Sequence, residues 1–424
     1  MDKTTSTGLG SLDPILGSPT ALLRDPEPNR WNLAEPWFRN YLARVNAGNH
    51  VTDEGHDSAR RAAPDLVDLP TPALVLDLDV LENNLRIMQA RADALGVRLR
   101  PHVKTHKCVE IAELQRAGGA TGFTVSTLAE ARVFAEAGFD DIVWAFPLNP
   151  SRIAEAAELS RHTALGVTVD SETAVDALEA AGARFSVWLE IDCGYGRSGI
   201  PHDSERAVKL AARISAAGTL TLRGCLTHAG HTYAADSPAA ITALAEEERR
   251  AMVAVGRALR AAGIEPGTLS VGSTPGMSRV ETLRGVHEAR PGNYALYDYS
   301  QMRLGSCTLR DCAVTVLSTV VSASGGSSEA IADCGALALS KDLGPDDPPH
   351  YGRLFRHVAG HELGDHRVTS VSQEHGRLSG PCAVGEKIRV LPNHACLTVA
   401  HFDHFDVVRG RRVVDRWRIR RTRD

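Results

Sequence analysis

The sequence predicts an α/β protein, a (β/α)8 barrel of the TIM type followed by a second, mostly antiparallel β domain. Three observations carry this. From residue 70 onward, eight short β-rich runs alternate with longer Ala/Leu/Glu/Arg-rich stretches, and such alternation means parallel strands joined by crossover helices. Eight units over about 230 residues is the size of a closed barrel. After residue 305 the runs become β-like and are broken by Gly, Pro, Asn and Asp, as in hairpin-rich sheets. The competing arrangement is an open doubly wound sheet. Its glycine fingerprint belongs after the first strand, where Leu76-Asp77-Leu78-Asp79 stands instead.

The elements follow in order. Strands are expected at 73–77, 97–103, 122–126, 141–146, 164–169, 185–191, 221–227 and 268–272. Helices are expected at 79–95, 106–117, 127–137, 150–160, 171–181, 203–217 and 238–262, several of them after the cap-like residues Asp79, Ser126, Asn149 and Asp170,. Gly96, Gly118, Gly138, Gly182 and Gly218 mark helix ends,. In the second domain, 313–322, 367–373, 387–391, 397–402 and 404–408 read as strands, 342–350 as a loop and Gly325-Gly326-Ser327-Ser328 as a hairpin turn. The domains expected are an N-terminal extension over 1–66, the barrel over 67–305 and the β domain over 306–424. The extension is proline-rich, but Trp31, Trp37 and Phe38 require burial, so part of it should pack on the main body.

Composition narrows the function. The chain has 424 residues, 43% of them apolar and 23% charged, with a net charge of -5. A dedicated nucleic-acid binder is usually basic, so nucleic acid is not an expected partner. No run approaches the ~18 apolar residues of a membrane helix, and the first residues lack a signal-peptide layout. A cytoplasmic protein with no membrane partner is expected. The eight cysteines form no C-x-x-C pair and should be reduced.

In such a barrel, catalytic groups lie at the C-terminal ends of strands. One strand end carries Arg100-Pro101-His102-Val103-Lys104-Thr105-His106-Lys107. A lysine in partly dry surroundings has a depressed pKa and can form a Schiff base or act as a base. Another carries Asp192-Cys193-Gly194-Tyr195-Gly196-Arg197-Ser198-Gly199, where small residues admit a ligand and Arg197 can donate to an anionic oxygen,. A third reads Thr227-His228-Ala229-Gly230-His231-Thr232-Tyr233. Gly272-Ser273-Thr274-Pro275-Gly276 and Arg290-Pro291-Gly292-Asn293-Tyr294 offer hydroxyls and backbone N–H groups suited to a phosphate,. One lysine, one arginine and two anion cradles fit a phosphorylated aldehyde, pyridoxal 5'-phosphate.

On these stretches, together with T-P-A-L-V-L-D-L-D (71–79), G-H-T-Y (230–233) and P-N-H-A-C (392–396), the chain resembles the fold-type III pyridoxal-phosphate enzymes, the alanine-racemase-like barrels. Within them it most resembles the D-serine dehydratase and D-threonine aldolase group, over about 325 residues. The resemblance implies that Lys104 carries the cofactor through its amine and moves the substrate α-proton. Arg197 would contact the ring hydroxyl. Ser273, Thr274, Gly292 and Asn293 would hold the phosphate, and Tyr233 would be a further cofactor or substrate contact. His394 and Cys396 would be ligands of one divalent metal, zinc.

The metal pair has support of its own, and it is modest. Two residues apart on an expected strand, His394 and Cys396 would share a face, and imidazole with thiolate suits zinc. Yet 17 His and 8 Cys in 424 residues place about 0.3 His-x-Cys by chance, and the sequence holds a second, His106-Lys107-Cys108. Two ligands leave positions open for substrate and water, as a catalytic metal requires. In the resembling group a cysteine second ligand accompanies dehydratases and an aspartate accompanies aldolases, so Cys396 favours elimination. The racemases' catalytic tyrosine has no counterpart here, which speaks against racemisation. The expected function is therefore a metal-dependent dehydratase of a β-hydroxy-D-amino acid such as D-serine or threo-3-hydroxy-D-aspartate. An aldolase is the alternative and a non-catalytic cofactor carrier a second one. The resemblance also implies a homodimer. His401, Asp403 and His404 read as surface or supporting residues, and the arginine-rich C-terminus as the exposed face of a terminal strand.

Overall fold

The computed structural model describes residues 64–323 and 329–420. The N-terminal stretch with Trp31, Trp37 and Phe38, the turn at Gly325-Gly326-Ser327-Ser328, and Arg421 and Arg423 lie outside the described residues.

The chain opens with strand β1 (Ala73–Asp77) and helix α1 (Leu78–Ala94), capped by the Asp77 side chain. A series of β/α units follows. Strands are β2 (Arg98–Leu99), β3 (Phe123–Val125), β4 (Asp141–Pro147), β5 (Ala164–Val169), β6 (Phe185–Asp192), β7 (Ile200–Pro201), β8 (Leu220–Thr227), β9 (Thr268–Val271) and β10 (Glu288–Ala289). Between them lie α2 (Val109–Gly118), α3 (Leu128–Glu136), α4 (Ile153–Leu159), α5 (Glu172–Ala180), α6 (Arg206–Ala216), α7 (Pro238–Ala261) and α8 (Thr274–Arg279). The caps are Asp77, Thr127, Asn149 and Ser171. Three of the four expected caps are thus displaced by one or two residues to a neighbour that can also accept a backbone N–H.

Eight parallel strands run in the order β2-β10-β9-β8-β6-β5-β4-β3. The ring closes where His102 bridges Thr124 in parallel and the Thr124 N–H donates to the Pro101 carbonyl at 2.9 Å. It is a closed barrel, not an open sheet. Its interior is filled by Trp188 and Arg100, both buried. Arg100 pairs with Glu288 at 3.0 Å and with Asp141 at 2.8 Å and faces the Trp188 ring. Burial of an arginine is tolerable only with such partners, so the first residue of the R-P-H-V-K motif is a structural ion pair.

The second sheet comprises β11 (Val314–Ala323), β12 (Glu329–Ala332), β13 (Gly352–Phe355), β14 (Leu363–Val371), β15 (Gly376–Ser379), β16 (Lys387–Pro392), β17 (His404–Arg409) and β18 (Arg412–Arg418), in the order β12-β15-β14-β13-β16-β11-β1-β17-β18. β12 also pairs with β11, across a bulge between Val320 and Ser322. The bulge bends the long strand so that six antiparallel strands close on themselves.

Two expectations are corrected here. The run 73–77 is not the first barrel strand. It lies in the second sheet, antiparallel to β11 and parallel to β17, and β10 supplies the eighth barrel strand. Ala73 to Leu76 are all buried, and a continuously buried run fits either sheet equally well. The run 397–402 is not a strand. Residues Ala395–Ala400 form a helix with His394 at its N-cap. Short apolar runs are ambiguous between strand and helix.

Of the described C-terminal arginines, Arg409 pairs with Asp79 and Glu82, Arg411 with Asp65 and Arg416 with Asp406, and Arg412, Arg416 and Arg418 form an exposed strand face. All eight cysteines are free thiols. Among the described residues no helix is long and apolar enough to cross a membrane.

Candidate active site

Because the barrel strands are parallel, all their C-terminal ends open on one side, and the loops there meet the second domain around a cavity of about 1010 Å³. It is lined from the barrel by Lys104, Arg197, Tyr233, Ser273, Thr274, Gly292 and Asn293, and from the second domain by His394 and Cys396. Every site residue expected from the sequence therefore faces one space.

Lys104 sits in a single 3-10 turn (Val103–Thr105) directly after β2. Its side chain opens onto the cavity, and among the described residues no carboxylate lies at ion-pair distance, whereas nearby Lys107 pairs with Glu130. Desolvation by the surrounding protein pulls the Lys104 amine below its usual value; the charge of Cys396 opposes this and that of Arg197 adds to it. A larger neutral fraction makes the amine a better nucleophile and base.

The Arg197 loop is folded by Asp192, whose carboxylate accepts the N–H groups of Gly194 at 2.9 Å and Gly196 at 3.0 Å. Both glycines have positive φ (113° and 73°), which disfavours any residue with a Cβ. Arg197 then lies over the Tyr195 ring at 5.4 Å.

On the opposite wall, Ser273 caps α8. Its hydroxyl accepts from Gly276 N at 3.1 Å and contacts the Thr232 hydroxyl at 2.8 Å. Thr232 itself donates to the Ala229 carbonyl, so the Ser273 proton goes to Thr232. The Ser273 hydroxyl is thus committed to the protein, and what Ser273 offers a ligand is its backbone. The Thr274 hydroxyl accepts from Tyr294 N at 3.2 Å and lies in hydrogen-bonding reach of the Tyr233 phenol.

His394 and Cys396 stand at the N-cap and second residue of the Ala395–Ala400 helix rather than on a strand face. Burial disfavours a charged His394, but the hydrogen bond and charge of Cys396, with Asp298 and Asp342, carry it up to about 10. Burial likewise disfavours the Cys396 thiolate, yet His394, Thr105 and Lys104 bring the thiol below its usual value. The Thr105 hydroxyl is 3.3 Å from Cys396 Sγ, which sets the thiol beside the residue that follows Lys104.

The sequence reading missed several lining residues: His102, Glu190, His228, Arg290, Asp298 and Asp342. His228 lies edge-on to Tyr195 at 6.4 Å. Burial, with the charges of Lys104, Arg197 and Arg290, holds it neutral with a pKa of about 3. His102, Glu190, His228 and Arg290 fall within or beside the quoted strand-end stretches and were findable. Asp342 lies in a Pro/Asp-rich loop with no periodic signal.

The residues present fit both groups that the resemblance implies. The Glu190 Oε2 and Asn293 Oδ1 atoms are buried without a hydrogen-bond partner among the described residues, so each is available to a bound polar group. The free amine, the guanidinium and the Ser273–Thr274 and Gly292–Asn293 turns match an aldehyde, a ring hydroxyl and a phosphate. For the metal, an imidazole beside an acidified thiol is a zinc-type donor set.

Residues 76–300 match the alanine racemase N-terminal domain family, and residues 313–408 match the putative serine dehydratase domain. The chain is 40% identical over 371 residues to a D-threo-3-hydroxyaspartate dehydratase of Delftia sp., covering 83% of this chain and 97% of that protein. It is 33% identical to a D-serine dehydratase of Dictyostelium discoideum (81% and 94% covered). It is 31% identical to a 3-hydroxy-D-aspartate aldolase of Paracoccus denitrificans (86% and 95%). Among solved structures, a D-threo-3-hydroxyaspartate dehydratase with a cysteine-to-alanine mutation, in the metal-free form, superposes with a TM-score of 0.80 at 38% identity, covering 84% of this chain and 99% of that one.

Proposed function

The chain belongs to the alanine-racemase-like, fold-type III pyridoxal-phosphate enzymes, in the branch that adds a serine dehydratase domain, and from that premise we propose a metal-dependent dehydratase of β-hydroxy-D-amino acids. The observation that carries the reading is the meeting in one cavity of Lys104 and the His394/Cys396 pair, joined through the 3.3 Å Thr105–Cys396 contact. Elimination of water needs a base for the α-proton and help for a poor leaving group at Cβ, and the two walls provide these separately.

The Lys104 amine would hold the cofactor and would also take the substrate α-proton. Arg197 would contact the cofactor's ring hydroxyl. The Thr274 hydroxyl and the backbones of Ser273, Gly292 and Asn293 would hold the phosphate, with Tyr233 closing that side. Pyridoxal phosphate supplies an electron sink for the charge developing at Cα. His394 and Cys396 would hold a divalent metal, zinc by donor type, which would supply Lewis acidity for a poor leaving group at Cβ. The released enamine tautomerises and hydrolyses to a 2-keto acid and ammonia.

Relatives of both reaction types exist, and Cys396 in the second ligand position favours elimination over the aldol cleavage named for the Paracoccus protein. Lys341 lines the cavity, as do Arg290 and Arg303, which are bonded within the protein; this basic lining suits an acidic substrate, so D-threo-3-hydroxyaspartate is the substrate proposed first, with D-serine as the other candidate. The elaborated second-domain wall argues against a mere cofactor carrier. A cytoplasmic setting agrees with the eight free thiols,. A homodimer is proposed as well, on the likeness to the family.

The test is product analysis on purified protein with D-threo-3-hydroxyaspartate, D-serine and D-threonine. Keto acid and ammonia are expected. Glycine and an aldehyde as the main products would establish the aldolase, and saturated cofactor with no turnover would establish the carrier.

A further inference from the structure

The His394 ring is held from one side by a residue outside both halves of the proposed mechanism. We propose that Asp342 is the positioning residue of the metal pair: its carboxylate takes the Nδ1–H of His394 and so presents the opposite ring nitrogen, Nε2, to a divalent cation beside the Cys396 thiolate. The inference rests on the reading of His394 and Cys396 as metal ligands.

His394 Nδ1 and Asp342 Oδ2 are 2.6 Å apart. A neutral imidazole has one N–H and one lone pair, and a carboxylate on one nitrogen fixes which is which. With Nδ1 taken, only Nε2 can bind a metal. Among the described residues no group of three or more His, Cys, Asp and Glu side chains has metal-holding geometry, so Asp342 acts through His394 and is not a third ligand.

Both side chains are about 40% exposed (40% and 42%), and an ion pair that open to solvent does not hold its own geometry. The scaffold holds it instead. The Asn393 side-chain amide donates to the Asp342 carbonyl at 2.9 Å and to the His350 carbonyl at 2.7 Å. It thereby ties both ends of the 342–350 loop to the residue preceding His394. Gly344 N closes the loop on the His350 carbonyl at 2.7 Å. At the middle, Asp346 is gripped by Tyr299, by Arg303 at 3.1 Å and by His350 at 3.0 Å. The Asp342 N–H is fixed by Ser340 Oγ at 3.2 Å, and Ser340 has φ 75°, unfavourable for a serine and maintained only by its surroundings,. Behind His394, the buried Asp298 carboxylate accepts Ala395 N at 2.9 Å and the Asn293 amide at 2.7 Å. The imidazole is therefore oriented from the loop while its helix is anchored from the barrel. Partners of this kind orient a ligand and tune its affinity, and losing one costs about 10- to 100-fold in metal binding.

The test uses the holoenzyme stripped of metal and titrated with Co2+, followed by its long-wavelength d–d bands and by competition with a chelator. Wild type should bind one Co2+, and Cys396→Ala should change the bands. Asp342→Ala should keep its cofactor and the wild-type band shape but bind Co2+ about 10- to 100-fold more weakly, with saturating metal restoring most of kcat. Asp342→Asn keeps the shape and an acceptor for Nδ1–H, so its loss should be several-fold, and it decides the matter alone if the alanine variant misfolds. Wild-type affinity in both variants would overturn the proposal. Altered bands in either would make Asp342 a direct ligand and overturn it too. If wild type binds no Co2+, or Cys396→Ala leaves the bands unchanged, the metal-pair reading itself fails and takes this inference with it.

Discussion

Gly292 lies so close to His102 that a methyl group on it would stand 2.8 Å from the His102 carbonyl oxygen and 3.0 Å from its Cβ. The same two turns are stitched by the His102 N–H, which donates to the Pro291 carbonyl at 3.0 Å. The turn proposed for the phosphate and the turn bearing Lys104 are therefore one packed unit. Gly292→Ala must push them apart, at about 1–3 kcal/mol for overpacking. Roughly tenfold weaker retention of pyridoxal phosphate is expected, measured by cofactor absorbance after dialysis against graded phosphate. Unchanged retention would break the link between this contact and cofactor binding.

Glu248 ties two strand ends at the cavity mouth. Its buried carboxylate accepts Ala229 N at 2.9 Å and Gly272 N at 3.2 Å, after β8 and β9 respectively. Glu248→Ala leaves two buried donors without an acceptor and should destabilise the protein by about 2–4 kcal/mol. Glu248→Gln keeps an acceptor oxygen and should lose less than half of that. Denaturant unfolding of the two variants separates these outcomes.

His106 is fully buried, and burial depresses its pKa to about 3. The Cys108 N–H, donated to Nδ1 at 3.1 Å, also occupies the lone pair a proton would need. The unfolded chain takes up a proton below about 6.5 while the folded chain does not. This histidine's contribution is thus complete above that pH and is lost as the pH falls toward 3. About 2 kcal/mol should disappear between pH 6.5 and 5. His106→Asn should flatten that part of the profile in denaturant titrations; an equal slope in both proteins would contradict the assignment.

The proposed division of labour between amine and metal makes a separate prediction. A chelator should abolish keto acid formation while leaving exchange of the substrate α-proton with deuterium oxide, because Lys104 is untouched. Proton NMR of D-serine incubated with treated enzyme reads both. Loss of exchange together with elimination would mean that the metal also governs proton removal.

Much of this was legible in the sequence because a β/α unit is local. Each strand and the helix after it carry their own caps and breaks, so seven helices were readable to within a few residues. The strand-end chemistry followed, because parallel strands place Lys104, Arg197, Ser273 and Gly292 on one side whatever the details of the loops. Non-local pairing was not legible. β1 finds its partners at Val314–Leu317 and Asp406–Val408, more than 230 residues away, and nothing in Ala73–Leu76 distinguishes that sheet from the barrel. The 395–400 segment is too short and apolar to show a period. Asp342 is placed by a hydrogen bond from the Asn393 amide to its carbonyl and one from its own N–H to Ser340 Oγ, which leave no mark on the local pattern.

The most direct measurement is borohydride reduction of the holoenzyme followed by proteolysis and mass spectrometry of the labelled peptide. A single pyridoxyl group on Lys104 is the expected result. Label on Lys107 or any other lysine, or none after full cofactor loading, would contradict the account at its root.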